Sequence, residues 1–283
     1  VTLLSAVQNV ASEAGYAIDS VVVTSNDVTT KQLYMIANRI IREMQDAYPW
    51  PVLFKQYSFS LVSGTSTYAL PGDFSSYHYD TWWNQSDGWR VIGPMSAQEY
   101  STYIGSDVTS VVYDRFQIRG AADNKILYYP TPAASGDVII FEYLAARAVR
   151  PPTWATGESV TSGDYRSYNG NYYTASTTGT TGATPPTHTS GSASDGTITW
   201  AYYSGTYETF LADTDVPVLS QRILEQGMLE RFAEIKGLTV VPRYETQLQE
   251  EYSKQEPGKV LFADGDQTER FQYGRNGRVV FGL

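Results

Sequence analysis

Residues 27–61 read DVTTKQLYMIANRIIREMQDAYPWPVLFKQYSFSL, and a change of period inside this stretch decides the fold class. After the polar starter Ser25-Asn26-Asp27, the residues Leu33, Ile36, Ala37, Ile40, Ile41, Met44 and Tyr48 recur every three or four positions. That spacing marks one face of a helix of about five turns. Pro49 and Pro51 stop it, because proline brings no N–H to the hydrogen-bond ladder. From Val52 the period becomes two. Tyr57, Phe59 and Leu61 point one way while Gln56, Ser58 and Ser60 point the other, as in a half-buried strand.

Upstream, Leu3, Leu4, Val7, Val10, Ala11 and Ala14 keep helical spacing as far as Gly15. Downstream, Ser63-Gly64-Thr65 turns the chain, Thr67–Leu70 returns, and Pro71-Gly72-Asp73 closes the piece. Short strands are predicted over 77–83, 89–92, 111–118, 125–129 and 138–144, parted by turn signals such as Ser86-Asp87-Gly88. Ser96 with Glu99 three residues on has capping-box spacing and predicts a short helix over 96–103. Pro217 reads as a first helical residue after Thr214-Asp215. Ile223, Leu224, Met228, Phe232 and Ile235 then carry a helix to Gly237, and Tyr244, Leu248 and Tyr252 mark a more polar one over 244–255. Residues 259–283 hold four basic and three acidic side chains among glycines and single apolar residues, which predicts an extended arm. Helices, then strands, then helices make an α+β fold, with a bundle of N- and C-terminal helices packed on an antiparallel β layer.

Between Thr156 and Thr206 the composition shifts: Glu158, Asp164, Arg166 and Asp195 are the only charges among Thr, Ser, Gly and Tyr. A flexible linker would not carry Tyr165, Tyr168, Tyr172, Tyr173, Trp200, Tyr202 and Tyr203, so a small all-β module is predicted. The expected division is a core of 1–150 and 207–256, an insert of 154–206, and the arm of 257–283. Deleting residues 156–206 is expected to leave the rest able to assemble.

The chain of 283 residues is long enough for a well-buried core. Its 23 Tyr against 10 Phe and 6 Trp fit either contact surfaces or Tyr-bearing strands. Cysteine is absent, which excludes disulfides, a thiolate nucleophile and cysteine metal sites. Residues 1–15 contain Gln8, Asn9 and Glu13 and no basic start, so no signal peptide is expected there, and no apolar run reaches the roughly 20 residues of a membrane span. A net charge of −10 argues against tight binding of phosphate backbones. His78 and His188 read as packed residues, with no His-Glu-x-x-His and no Gly-x-Ser-x-Gly elbow near them. Asp80, Asp87 and Asp164 have aromatic neighbours, yet nothing marks them as a paired acid and base. No catalytic residue, cofactor or metal is expected.

Three stretches together resemble one family, the head-to-tail adaptors of short-tailed phages, also called tail tubular protein A. They are the helix ending in Tyr48-Pro49-Trp50-Pro51 and followed by a strand, the hairpin Tyr68-Ala69-Leu70-Pro71-Gly72-Asp73-Phe74, and the late helix pair with Arg231-Phe232 and Lys236-Gly237-Leu238. The resemblance covers about residues 1–150 and 207–256. It implies a structural, non-enzymatic virion protein that is assembled in the host cytoplasm and sits in the neck as a dodecameric ring between portal and tail nozzle. Implied partners are further copies of itself, the portal protein, the tail nozzle protein and tail fibres, with double-stranded DNA passing through the channel unbound and no membrane insertion. The arm residues Arg270, Phe271, Tyr273, Arg275, Arg278 and Phe281 are then expected to dock on a neighbour or the portal, since Arg and aromatics anchor interfaces.

The insert departs from that family. Its pieces Tyr168-Asn169-Gly170-Asn171-Tyr172-Tyr173 and Asp195-Gly196-Thr197-Ile198-Thr199-Trp200 resemble chitin-binding-type modules appended to phage tail proteins. That resemblance makes Trp154, Tyr168, Tyr173, Trp200 and Tyr202 either rings that stack on host-surface glycan or the core of a module with little else to bury. A tail-associated hydrolase is a third reading, with no motif behind it.

Overall fold

Helix α2 (Val28–Ala47) begins where the Asp27 carboxylate accepts hydrogen bonds from the Thr30 amide at 2.7 Å and hydroxyl at 2.9 Å. These bonds hold the Asp27 carboxyl below the usual carboxylate range. At its other end Tyr48 is extended, and beyond Pro49 the Trp50 indole turns back to donate to the Met44 carbonyl at 2.6 Å. One of the carbonyls that a helix end leaves open is thereby satisfied. The computed structural model describes residues 2–106, 113–119 and 124–255, with the backbone of 272–273 and 279–280. Among the described residues it has five helices and several antiparallel sheets, a mixed α and β architecture. No described helix is long and apolar enough to cross a membrane.

The chain divides into two compact units. Among the described residues the first holds 2–55, 70–76 and 143–254, and the second holds 56–69, 77–106, 113–119 and 124–142. In the first, α1 (Leu3–Glu13), α2 and α4 (Gln221–Lys236) pack on one another, and α5 (Tyr244–Gln255) adds Tyr244 and Leu248 to their core. Leu33, Ile40, Ile41 and Met44 of α2 are buried with Leu224, Met228 and Phe232 of α4. Gly237, at φ +69°, ends α4 in the left-handed conformation that favours glycine.

Gly227 lies in the middle of α4, where a Cβ would come within 2.9 Å of Ile40 Cγ2 and 2.8 Å of the Tyr244 ring. Gly227→Ala is therefore expected to lower stability by about 1–2 kcal/mol, because overpacking outweighs alanine's helix-propensity gain. Urea denaturation checks this; an unchanged or raised midpoint would show that the helices can shift to make room.

The first unit also contains the insert. Its main sheet has the order β11-β12-β15-β14, from β11 (Tyr165–Tyr168), β12 (Asn171–Ala175), β14 (Ser192–Asp195) and β15 (Ile198–Tyr203). Beside it β10 (Ser159–Val160) pairs with β13 (Gly179–Thr180), and β9 (Val149–Arg150) pairs with β16 (Val216–Pro217). Period-two alternation sends side chains to opposite faces of the main sheet. Tyr173, Ala175, Ile198 and Trp200 form a small core with Val160, whereas Tyr172, Tyr165 and Tyr203 join the helical core. The insert's sheet thus lies in the same compact unit as the helices. Both faces of the sheet are occupied, and the second face belongs to the core of the helices.

Pro217 corrects the sequence reading. It pairs with Val149 in β16, and α4 starts four residues later, after Ser220. The preceding Asp215 is fully buried and accepts from the Tyr207 hydroxyl and from the amides of Leu211, at 2.7 Å, and Ala212, at 2.9 Å. Burial pushes its carboxyl upward against those bonds.

In the second unit β2 (Thr67–Ala69), β7 (Lys125–Tyr129) and β6 (Arg115–Arg119) form one antiparallel sheet in the order β2-β7-β6. Also in this unit, Ile139 and Ile140 of β8 (Val138–Ala145) pair with β4 (Trp83–Asn84), and β4 pairs with β5 (Trp89–Arg90); β1 spans Phe54–Ser60 and β3 spans Phe74–Tyr77. Tyr57, Phe59 and Leu61 are less exposed than Gln56, Ser58 and Ser60, as their alternation predicts. The capping box forms as well: α3 (Ala97–Gly105) starts with reciprocal Ser96–Glu99 bonds. Strands predicted over 77–83 and 89–92 shrink to the two-residue pieces β4 and β5 and the end of β3.

Candidate functional site

The shortness of β4 and β5 creates the most distinctive surface of the second unit. The loop before β4 carries Trp82, which is buried with its ring stacked between Phe116, 3.8 Å away at 14°, and Phe141, 3.9 Å away at 2°. This anchor fixes the hairpin that follows, in which Trp83 pairs with Arg90 and Asn84 with Trp89. Asn84 ties the tip: its Oδ1 accepts from the amides of Ser86 and Asp87, its Nδ2 donates to Asp87, and Gly88 takes φ +74°. Asp80, at φ 62°, pairs with Arg90 across the base.

With Trp82 inward, its neighbours face out. Trp83 is 41% exposed and Trp89 52%, and Tyr79, Ile92 and Tyr113 are exposed with them. All five line one groove of about 610 Å³, with Asp80 and Arg90 at its edge. Exposed rings grouped in one groove make this face a candidate contact surface. Indole and phenol rings on a rigid support, beside a guanidinium, have the chemistry of an interface anchor and can also stack on flat ligands. His78 lies 3.4 Å from Glu142, both about half exposed.

The first unit holds a charged cluster that the sequence reading missed. Asp73, from the Leu-Pro-x-Asp-Phe hairpin, is buried and receives Arg147 Nε at 2.7 Å, Lys55 Nζ at 3.1 Å and the Tyr143 hydroxyl at 2.7 Å. Its carbonyl accepts from the Ala146 amide at 2.7 Å. Burial, and then the charge of Arg147, lower the pKa of Lys55, while Asp73 opposes them. Burial and then Asp73 push the Tyr143 hydroxyl up. Arg147 also lies over the Tyr172 ring at 4.3 Å, and burial raises the Tyr172 hydroxyl to about 12. Gly72 next door has no room for a side chain, since a Cβ would lie 2.6 Å from the Ser204 carbonyl oxygen.

The glycan candidates separate into two groups. Tyr173 and Trp200 are fully buried, so they have no ring face to offer a sugar; this corrects the platform reading for both. Trp154, Tyr168 and Tyr202 are partly buried against the same core. The indoles of Trp154 and Trp200 both donate to Asp195 Oδ2, at 2.9 and 3.4 Å. His188 sits 5.1 Å from the Tyr173 ring, and its carbonyl accepts from that hydroxyl. Asp87 is held in the hairpin tip and Asp164 accepts from the Thr161 amide. The side chains of Arg270, Phe271, Tyr273, Arg275, Arg278 and Phe281 lie outside the described residues. Among the described residues no three His, Asp or Glu side chains gather as a metal ion requires. No protein-family model matches the chain, and no curated protein matches it.

Proposed function

We propose that this chain is a structural virion protein, the subunit of a dodecameric adaptor ring between portal and tail nozzle that forms part of the DNA ejection channel. The observation that carries the reading is the Trp83–Trp89 groove, a rigid and exposed aromatic face suited to burial against a neighbouring subunit. The resemblance of the helix–strand junction, the Leu-Pro-x-Asp-Phe hairpin and the late helix pair to the adaptor family supplies the ring and its place in the virion. In that reading the N- and C-terminal helices form a bundle on the β layer, and the arm beyond residue 256 docks on the portal. A net charge of −10 suits a channel past which duplex slides without sticking.

Negative-stain imaging and mass measurement of the chain mixed with candidate portal test the proposal. A chain that stays monomeric and ignores the portal would sink it. Trp83→Ala combined with Trp89→Ala is expected to weaken ring assembly at least ten-fold while changing stability by less than about 1 kcal/mol. Undiminished assembly would remove the groove from the interface.

A second reading, recognition of host-surface glycan, is expected of the inserted module; the exposed Trp83 and Trp89 rings support testing it at this groove as well. Polysaccharide binding that Trp89→Ala abolishes, with assembly intact, would promote it.

A further inference from the structure

Within the first unit, beside the Asp73 cluster, lies a cavity of about 340 Å³. Lys55, Arg147 and Arg150 line it, and no carboxylate does; its remaining wall includes Val52, Leu53 and Val218. Arg147 is 4% exposed. Its Nε lies 2.7 Å from Asp73, off the line of a good hydrogen bond, and its Nη2 donates to the Tyr203 carbonyl at 3.2 Å. Its Nη1 is buried with no partner among the described residues. A buried guanidinium with an unused donor is expensive, and structures seldom leave one so. The charges do not balance either, because Asp73 is the one carboxylate paired with both Lys55 and Arg147. The depressed pKa of Lys55, caused by burial and by Arg147, agrees with that surplus of positive charge.

We infer that this cavity is a binding site for a carboxylate carried on an apolar body. A single negative charge beside Lys55 and Arg150 offsets the surplus of the buried pair, and the exposed guanidinium of Arg150 can match the two oxygens of a carboxylate. Val52, Leu53 and Val218 give the stem of the ligand an apolar place to lie, beside the more polar Thr153, Ser167 and Asn169. Arg150, exposed at the mouth, draws the anion in. A free organic acid and a glutamate or aspartate side chain of a partner protein share this chemistry.

Thermal denaturation of the whole chain with sodium valerate, at constant ionic strength, tests the site. Valerate is expected to raise the melting temperature saturably, whereas its uncharged counterpart valeramide and inorganic phosphate bind at least ten-fold more weakly. Arg150→Gln, an exposed change that leaves the fold intact, is expected to weaken valerate binding several-fold, and Arg147→Gln to abolish it wherever that variant folds. Equal effects of valerate and valeramide, a preference for phosphate, or unchanged affinity in Arg150→Gln would each overturn the inference. A capped peptide with glutamate between two valines, set against its glutamine counterpart, separates the two sources. Tighter binding of the glutamate peptide than of valerate assigns the site to a partner's side chain, and the reverse order to a free acid. Binding of neither overturns the proposal.

Discussion

Asp73→Ala is expected to destabilise the first unit by about 3–5 kcal/mol, the range for removing one partner of a buried ion pair. Arg147 would lose its countercharge while remaining enclosed, Lys55 would lose its partner at 3.1 Å, and the Tyr143 hydroxyl would lose its acceptor. The loss should also depend on pH. The pKa of Lys55 in the folded chain already lies below its ordinary 10.5, so the unfolded chain takes up the proton first as pH falls, and this group lowers stability below that value. Without Asp73, the one group here that opposes the shift, the folded pKa falls further. The difference between variant and wild type should therefore narrow as pH rises towards 10.5. Urea denaturation of both proteins at pH 7 and pH 10, read by circular dichroism, measures this. A difference below about 1 kcal/mol at pH 7, or one that widens with pH, would contradict the account.

Trp200→Ala is the second large effect, expected at about 3–5 kcal/mol. Trp200 is the largest of the five fully buried members of the insert's small core, and Tyr173, Ile198, Ala175 and Val160 cannot close the space it would leave. The same measurement checks it, and a cost under about 1 kcal/mol would mean that the core collapses or is not as described. The variant therefore cannot serve as a clean test of sugar binding, because any loss of binding would accompany a loss of fold. Trp89, held at the rim of the groove and half exposed, is the tryptophan whose removal tests binding without that confusion.

The elements legible in the sequence are those whose information is local. The stripe of α2, the box at Ser96 and Glu99, the helix Tyr244–Gln255 and the alternation through Leu61 each follow from spacing and caps within one segment. Pro217 misled because proline suits both a first helical turn and a short strand, and the choice was made by pairing with Val149 far upstream. The Trp83–Trp89 surface was hidden for a different reason. Two-residue strands carry no readable period, and the inward turn of Trp82 depends on Phe116 and Phe141. Asp73 read as a turn residue, since its partners Lys55 and Arg147 lie 18 and 74 positions away in sequence.

The insert alters an earlier expectation most. Tyr165, Tyr172 and Tyr203 surround Tyr207 at ring distances of 5.3, 5.5 and 6.4 Å, and Tyr172 and Tyr207 are both part of the helical core. Deleting residues 156–206 would uncover that core rather than trim an appendage.

The first unit is gathered from three separated stretches, and this bears on its birth at the ribosome. Helices α1 and α2 are complete once residue 47 has emerged, but α4, which shares their apolar stripe, begins at Gln221, about 170 residues later. At the usual 5–20 residues per second, that is a delay of roughly 10–35 s. Throughout it the nascent chain displays Leu33, Ile40, Ile41 and Met44 without their α4 partners, a natural target for a holding chaperone. Translational pausing between residues 60 and 220 would lengthen that exposure, and slower elongation there should lower the soluble yield.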